Sequence, residues 1–249
     1  MAVLQHFLPT LLLVALSLPI KAQFSLMGSA KNMPDGCIQL TPAEPYSEGL
    51  AYYNTLLDLK YDFEIGFDIY FGARDENGAD GIAFVIQNDP RGNQAYGTWG
   101  ECLGYGTWDR SRPGGTYIAP SIAVEFDTYQ NPGQNDPDMD HVVYLEQGSN
   151  FHTIYFNNND PAYNLEDNRL HDFRFRWEAN EQKLTILLDG YTVYTGVKDL
   201  ANDIFEGTTL VRWGFTASTG RKYNLQYFCL RQLVFNPSSD NTPLIYHSE

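Results

Sequence analysis

The segment that begins at Glu125 carries an alternating run of oxygen-bearing side chains that could bind a cation. Glu125, Asp127, Tyr129 and Asn131 are spaced by two residues, so in an extended strand they lie on one side. Two adjacent carboxylates are costly to bury unless their charge is compensated, whereas on a solvent-facing side they are simply hydrated. The spacing therefore leaves two interpretations, a metal site and an acidic solvated loop.

Asp136 and His141 follow in the next loop and extend this set of donors. Oxygen donors alone, from carboxylates, an asparagine side chain and a backbone carbonyl, suit Ca²⁺. Carboxylates combined with one imidazole suit a transition ion such as Mn²⁺. Two bridging aspartates could hold both ions together. The metal interpretation thus predicts Ca²⁺ beside Mn²⁺ or another transition metal.

The elements that must position these residues are strands. Residues 62–71 alternate apolar and acidic side chains, and residues 171–177 alternate Phe and Trp with Arg, as expected for strands with one face on a core. The Asp189-Gly190 pair between two such runs predicts a hairpin. Residues 199–205 indicate a helical turn. The remaining predicted strands are 81–87, 121–126, 141–146, 153–156, 183–188, 191–194, 211–216 and 226–235.

This pattern of many short strands predicts one all-β domain, a sandwich of two antiparallel sheets, over residues 23–236 of the 249. Two long loops rich in Gly and Pro, 88–120 and 130–140, are where function is expected. Residues 1–22 resemble a signal peptide with a short apolar run, and they predict a protein that is secreted, with the periplasm or cell surface also open. Residues 237–249 are expected to form a flexible tail.

The charge balance argues against several partners. With 16 basic and 31 acidic residues the formal net charge is −15, which repels nucleic acid and anionic lipid. No stretch approaches the length of a membrane span, so we expect no membrane insertion. The three cysteines, Cys37, Cys102 and Cys229, allow three single pairings, and the sequence does not decide among them. A homo-oligomer is also left open.

The segment 123–131, followed by Asp136-Pro137 and His141, resembles the metal-binding segment of legume (L-type) lectins, including its spacings. The resemblance implies a concanavalin-like jelly roll. It also implies that Asp127 and Asp136 bridge two ions, and that Glu125 and His141 complete the transition-metal site. The Tyr129 carbonyl and the Asn131 side chain would complete the Ca²⁺ site.

The same resemblance implies a carbohydrate site. Residues 79–84 look like the first sugar-binding loop of the family, in which the peptide before Asp80 is cis, and residues 211–220 resemble the strand and turn before its last loop. Segment 80–106 is especially similar to lectin domains of exported proteins from Gram-negative bacteria. Glu101 stands where the family usually has a glycine. The implied sugar-binding residues are Asp80, Gly100, Glu101, Tyr129, Asn131, Arg221 and Lys222.

These expectations favour a secreted, metal-dependent carbohydrate-binding protein that is not an enzyme. One alternative is a sandwich that serves adhesion or protein interaction without binding sugar. A second is a glycoside hydrolase of the same fold, whose strand carries Glu-x-Asp-x-x-Glu. Here Gln130 occupies the last position, so the second carboxylate of the acid/base pair is missing.

Overall fold

The computed structural model describes residues 23–108, 114–138, 140–152 and 164–236 and one strand near the carboxyl end. In chain order the strands are β1 (Phe24–Gly28), β2 (Lys31–Asn32), β3 (Ile38–Thr41), β4 (Glu48–Tyr53), β5 (Leu57–Asp58), β6 (Asp62–Tyr70), β7 (Gly81–Gln87), β8 (Ser121–Asp127), β9 (His141–Glu146), β10 (His171–Glu178), β11 (Lys183–Leu188), β12 (Tyr191–Val197), β13 (Leu210–Ser218), β14 (Gln226–Asn236) and β15 (Leu244–His247). Short helical turns lie at Gly92–Gln94, Gly100–Cys102, Pro132–Gln134 and Leu200–Ile204.

The strands form two antiparallel sheets that face each other. The seven-stranded sheet has the order β1-β4-β13-β7-β8-β9, with β5 beside β13. The eight-stranded sheet has the order β12-β11-β10-β6-β14-β3-β2, with β15 beside β14. The predicted all-β jelly-roll sandwich is therefore confirmed.

Aromatic side chains from both sheets fill the space between them. Phe67 of β6 lies 4.8 Å from Phe215 of β13 and 5.8 Å from Phe84 of β7, measured between ring centroids. These rings are fully buried, and each contributes roughly 1.5–3 kcal/mol by leaving water. The alternation along β6 produces this arrangement, because its apolar residues point to the core while Glu64 and Asp68 point outward.

The outward face of the eight-stranded sheet carries ion pairs between neighbouring strands. Arg176 contacts Glu64 at 2.6 Å and Arg231 contacts Asp68 at 2.6 Å. Arg174 also pairs with Asp172 at 2.8 Å. These side chains are partly exposed, so each pair stabilises the fold only slightly, but together they keep this face polar.

Strands β7 and β8 of the seven-stranded sheet are buried on both faces, and this decides where the functional residues lie. Ile122, Val124 and Phe126 of β8 belong to the main core. Ala123, on the opposite face, packs in a second apolar cluster with residues of the long loop after β7, including Tyr105. Glu125 and Asp127 share that second face by alternation, so they are covered by the loop rather than solvated.

One register row crosses four strands at the end of this sheet. Ser218 of β13 pairs with Gly81, Gly81 with Asp127, and Asp127 with His141 of β9. The three loops that leave this end are therefore adjacent. They are the loop that follows Asp127, the loop that precedes Gly81 and the loop that follows Ser218.

The predicted strands agree with the structure to within a few residues, except that 153–156 lie outside the described residues. The helical turn predicted at 199–205 is found at Leu200–Ile204. The sequence analysis missed β1 to β5. Strand β15 falls inside the segment predicted as a flexible tail and pairs with β14; the Pro and Ser residues behind that prediction, 237–239, lie outside the described residues. In the part of the chain that the structure describes, no helix has the length and apolar character to span a membrane.

Cys37 and Cys229 form a disulfide, which settles the pairing that the sequence left open, and Cys102 is a buried thiol. The bond joins residues 192 apart in sequence. Such a closure restricts the unfolded chain and is worth roughly 2–5 kcal/mol. We expect the Cys37→Ser/Cys229→Ser variant to lose stability of this order in urea denaturation, with Cys102→Ala as the comparison. An unchanged denaturation midpoint in the double variant would contradict the expectation.

Candidate functional site

A buried cluster of carboxylates and imidazoles lies at the end of β8 and β9. Asp127, Asp136, His141 and His152 each offer one donor atom, and these atoms all lie within 4.8 Å of one another. His141 Nε2 is 3.8 Å from Asp127 Oδ2 and 3.9 Å from Asp136 Oδ1. Three of the predicted metal ligands are thus brought together, and His152 joins them.

The other predicted ligands surround this cluster. Glu125 accepts hydrogen bonds from Asn150 Nδ2 at 2.6 Å and His152 Nε2 at 2.5 Å. The backbone N–H of Tyr129 donates to Asp127 Oδ1 at 2.8 Å, and that of Asn131 donates to Asp136 Oδ2 at 2.5 Å. The loop after β8 therefore folds back so that Asp136 returns to Asp127.

The residues present fit a cation. Burial raises the pKa of Asp127 well above its usual range, and the charges of Glu125 and Asp136 add to the rise. The negative charge of such a buried carboxylate must be neutralised by a proton or balanced by a cation. Burial alone would lower the pKa of His152, but the adjacent Glu125 and Asp136 raise it to about 10. The Asn131 Oδ1 atom is buried without a hydrogen-bond partner among the described residues, as expected of an oxygen that would coordinate an ion.

A cleft of about 390 Å³ opens beside the cluster. All of the residues predicted to bind sugar line it, and they come from four segments of the chain. Its walls also include Trp99, Trp108 and Gly220, which the sequence analysis missed. The volume is in the range of small-molecule sites. The members predicted from the sequence are Asp80, Gly100, Glu101, Tyr129, Asn131, Arg221 and Lys222.

Asp80 is held at the base of the cleft by its backbone. The Ala79–Asp80 peptide is cis, as the family resemblance implied. The Asp80 N–H donates to Ser218 O at 3.1 Å, and the Asp80 carbonyl accepts from Thr128 N at 3.0 Å. These bonds link the loop of Asp80 to β13 and to the metal segment. The side chain is 5% exposed, and its Oδ2 has no hydrogen-bond partner in the described chain.

The wall formed by residues 99–104 depends on one glycine. Gly104 has a φ of +71°, and a Cβ placed there would lie 2.3 Å from the Trp99 ring. Only glycine fits this close approach without displacing the indole. Trp99 in turn stacks on Tyr96 with ring centroids 5.5 Å apart, which fixes an aromatic surface beside Gly100 and Glu101.

Lys222 contacts the ring of Tyr129 beside the cleft. Its Nζ lies 4.9 Å from the centroid of the Tyr129 ring and donates to the Glu76 carbonyl at 2.6 Å. The ammonium therefore covers part of the ring that the family resemblance would place beneath a sugar. An aromatic ring in contact with a cation gains about 0.5–1 kcal/mol at such a site. Trp99 and Trp108 are the further aromatic residues that line the cleft.

His152 and the two tryptophans were missed for different reasons. His152 lies outside the segment that carries the metal motif, and only the fold brings it back to Glu125. Trp99 lies in the long loop that was expected to hold function, and a large aromatic beside Gly100 was a usable signal. Trp108 lies farther along that loop, and nothing in the sequence indicates that it turns towards Asp80.

The fold and this cleft define a β-sandwich binding module with a ligand cleft beside a group of residues that could hold a metal ion. A family model of the legume lectin β-barrel domain matches residues 17–232. The chain therefore belongs to the legume (L-type) lectin family.

Solved lectin structures share this fold. The lectin from Bauhinia forficata in complex with GalNAc is 24% identical, with a TM-score of 0.67 over 88% of this chain and 94% of that one. Peanut lectin with a 9mer peptide is 21% identical, with a TM-score of 0.66 over 92% and 95%. Arcelin-5, a lectin-like defense protein from Phaseolus vulgaris, is 18% identical, with a TM-score of 0.62 over 85% and 91%.

Proposed function

We propose that this protein binds a glycan in the cleft of Asp80 and that a bound metal pair holds the cleft in shape. The observation that carries the proposal is the buried Asp80 carboxylate, which has an oxygen without a partner in the described chain and faces a cleft. A carboxylate in such a position accepts hydrogen bonds from two sugar hydroxyls, and the tryptophans offer the C–H face of the ring an aromatic contact. The GalNAc complex of the similar Bauhinia lectin supports this reading.

The metal part of the proposal assigns Ca²⁺ to the Tyr129 carbonyl, Asn131, Asp127 and Asp136. A transition ion such as Mn²⁺ would share the two aspartates and bind His141. Because Asn131 N–H and Tyr129 N–H already bond to these aspartates, ions at this position would fix the loop that forms one wall of the cleft. The ions would balance the charge of the aspartates and hold the loop in place. Asp80 and Asn131 would contact the sugar.

The protein would act without catalysis. Glu125 is fully buried, and both of its carboxylate oxygens accept hydrogen bonds inside the metal cluster. Glu125 therefore does not face the cleft as the acid of a glycoside hydrolase would. Secretion through the signal peptide at 1–22 remains part of the proposal and agrees with the Cys37–Cys229 disulfide, since such bonds persist in oxidising compartments.

A glycan array with and without EDTA tests the function directly, with Gly220→Val as the variant. A Cβ at Gly220 would lie 3.5 Å from Asp80 Oδ2, so a valine should fill the cleft without changing a charge or a metal ligand. We expect the wild-type signal to disappear in EDTA and in Gly220→Val. A partner that Gly220→Val still binds would favour the adhesion alternative, and release of reducing sugar would favour the hydrolase.

Glycan binding should weaken on acidification near neutral pH. Burial raises the pKa of Asp80 to about 7, and Glu101 adds to the rise. Sugar hydroxyls donate to the ionised carboxylate, so the affinity is present above this pKa and is lost as the pH falls through it. Between pH 8 and pH 6 we expect a decrease of roughly tenfold by calorimetry, with a lower midpoint if a nearby cation stabilises the carboxylate.

Glu101→Gln is the matched variant for this pH profile. It removes the charge that adds to the pKa rise of Asp80 and keeps the backbone N–H, so its midpoint should lie lower than that of the wild type. Metal content is measured at each pH to separate the two effects. An affinity that is flat from pH 8 to pH 5 at constant metal content would exclude a role for Asp80 ionisation.

A further inference from the structure

His152 contacts the metal cluster through one ring nitrogen. Its Nδ1 lies 2.9 Å from Asp136 Oδ1 and 3.3 Å from His141 Nε2. Donor atoms around one octahedral ion with bonds near 2.1 Å lie about 3 Å apart when adjacent and about 4 Å apart when opposite. The 2.9 Å between His152 Nδ1 and Asp136 Oδ1 and the 3.9 Å between His141 Nε2 and Asp136 Oδ1 fall in this range, and all four donor atoms lie within 4.8 Å of one another. The Nδ1 atom thus stands where a ligand would.

Both carboxylate oxygens of Glu125 accept hydrogen bonds from side chains beside the cluster. One of its oxygens accepts from Asn150 Nδ2 at 2.6 Å and the other from His152 Nε2 at 2.5 Å. Metal-binding histidines commonly donate their distal N–H to a carboxylate, which fixes the tautomer and the ring orientation. His152 Nε2 donates to Glu125 in this way, and its Nδ1 faces the cluster.

The backbone of His152 is tied to the metal loop itself. Its N–H donates to Gln134 O at 3.0 Å, and its carbonyl accepts from Asn135 Nδ2 at 2.9 Å. Both partners lie between Asn131 and Asp136. The same loop that carries Asp136 therefore holds the backbone of His152 in place, and the residue is 1% exposed.

We propose that His152 binds the transition ion through Nδ1, together with His141, Asp127 and Asp136, and that Glu125 acts as the hydrogen-bonded partner of His152. This inference rests on the metal dependence proposed above and deepens it. A second imidazole in place of a carboxylate shifts the preference of the site towards ions that favour nitrogen, such as Zn²⁺ and Ni²⁺, over Ca²⁺ and Mg²⁺.

Pulsed electron paramagnetic resonance of Mn²⁺-loaded protein tests the proposal by counting imidazole nitrogens on the ion. The full chain, labelled with ¹⁵N-histidine, is saturated with Ca²⁺ and then loaded with Mn²⁺. We expect two nitrogen couplings in the wild type and one in His152→Ala. Glu125→Gln should keep both, because it removes a partner rather than a ligand. His171→Gln, another buried histidine that bonds to Asp189, should also keep both.

Mn²⁺ affinities give a second readout. His152→Ala should bind Mn²⁺ on the order of 100-fold more weakly, and Glu125→Gln 10- to 100-fold more weakly. A single nitrogen coupling in the wild type overturns the proposal, and this result does not depend on whether any variant folds. Unchanged couplings in His152→Ala also overturn it. A wild type that binds neither Mn²⁺ nor Zn²⁺ overturns the proposed metal dependence itself, which separates the two failures.

Discussion

Asp80→Asn should make glycan binding undetectable while leaving the metal content unchanged. The substitution keeps the size of the side chain and removes a charge-assisted acceptor, which is worth about 1.5–3 kcal/mol. A single sugar binds weakly because water already solvates its hydroxyls, so a loss of this size removes most of the measurable affinity. Calorimetry with the glycan identified on the array, together with elemental analysis, measures both quantities.

Asn131→Ala is the informative companion to this variant. Asn131 lines the cleft, and its Oδ1 is buried without a hydrogen-bond partner among the described residues, so its removal should weaken both sugar and Ca²⁺ binding. If Asp80→Asn strips the metal, the division of roles between the two residues is wrong. If both variants bind the glycan as the wild type does, the sugar binds elsewhere.

Asp127→Asn should release both ions and lower the melting temperature of the protein. Asp127 is 2% exposed and lies beside Asp136 and His141, so one substitution removes a donor from each predicted site. Binding to the native state alone stabilises by roughly 3–4 kcal/mol at 100 to 1,000 times the dissociation constant. The melting temperature in Ca²⁺ plus Mn²⁺ should approach that of the wild type in EDTA.

Replacement of the buried Asp127 also changes the stability of the metal-free protein, so a control without metal is needed. The pKa of Asp127 is raised by burial and by neighbouring carboxylates, so loss of its charge should stabilise the metal-free protein slightly. The variant must therefore be compared with the wild type in EDTA as well as in metal. A wild type that starts metal-loaded and melts at the same temperature after chelation would contradict the metal-dependent stability.

The sequence determined the metal segment and the main strands because these are local patterns. Glu125 and Asp127 follow the two-residue period of β8, which ends at Asp127, so the predicted alternation does not extend as a strand to Asn131. The alternation along β6 indicates which of its side chains face the core. Local patterns could not show which residues meet across the cleft, because Asp80, Gly100, Asn131 and Lys222 converge through the register of β13, β7 and β8. Only the family resemblance grouped these residues. His152 is the clearest example, since it depends on loop bonds to Gln134 and Asn135 that have no sequence signature.

The contact between Lys222 and Tyr129 shows a second kind of limit. The family resemblance supplies an aromatic ring at position 129, but the last loop decides what covers that ring. Here the Lys222 ammonium reaches the ring and the Glu76 carbonyl together. The strength of that contact depends on the path of a loop outside any regular element, which periodicity does not describe.

The ion pairs on the outer face of the eight-stranded sheet limit how copies of this protein can be combined for avidity. Face-to-face stacking would remove water from Glu64, Asp68 and their arginine partners, and the desolvation cost of such pairs can exceed their attraction. Two linked copies bind a target surface more tightly than one copy only if the linkage lets both clefts reach that surface at once. We expect any multivalent form to be joined through the sheet edges or through a carrier, which leaves every cleft facing outward.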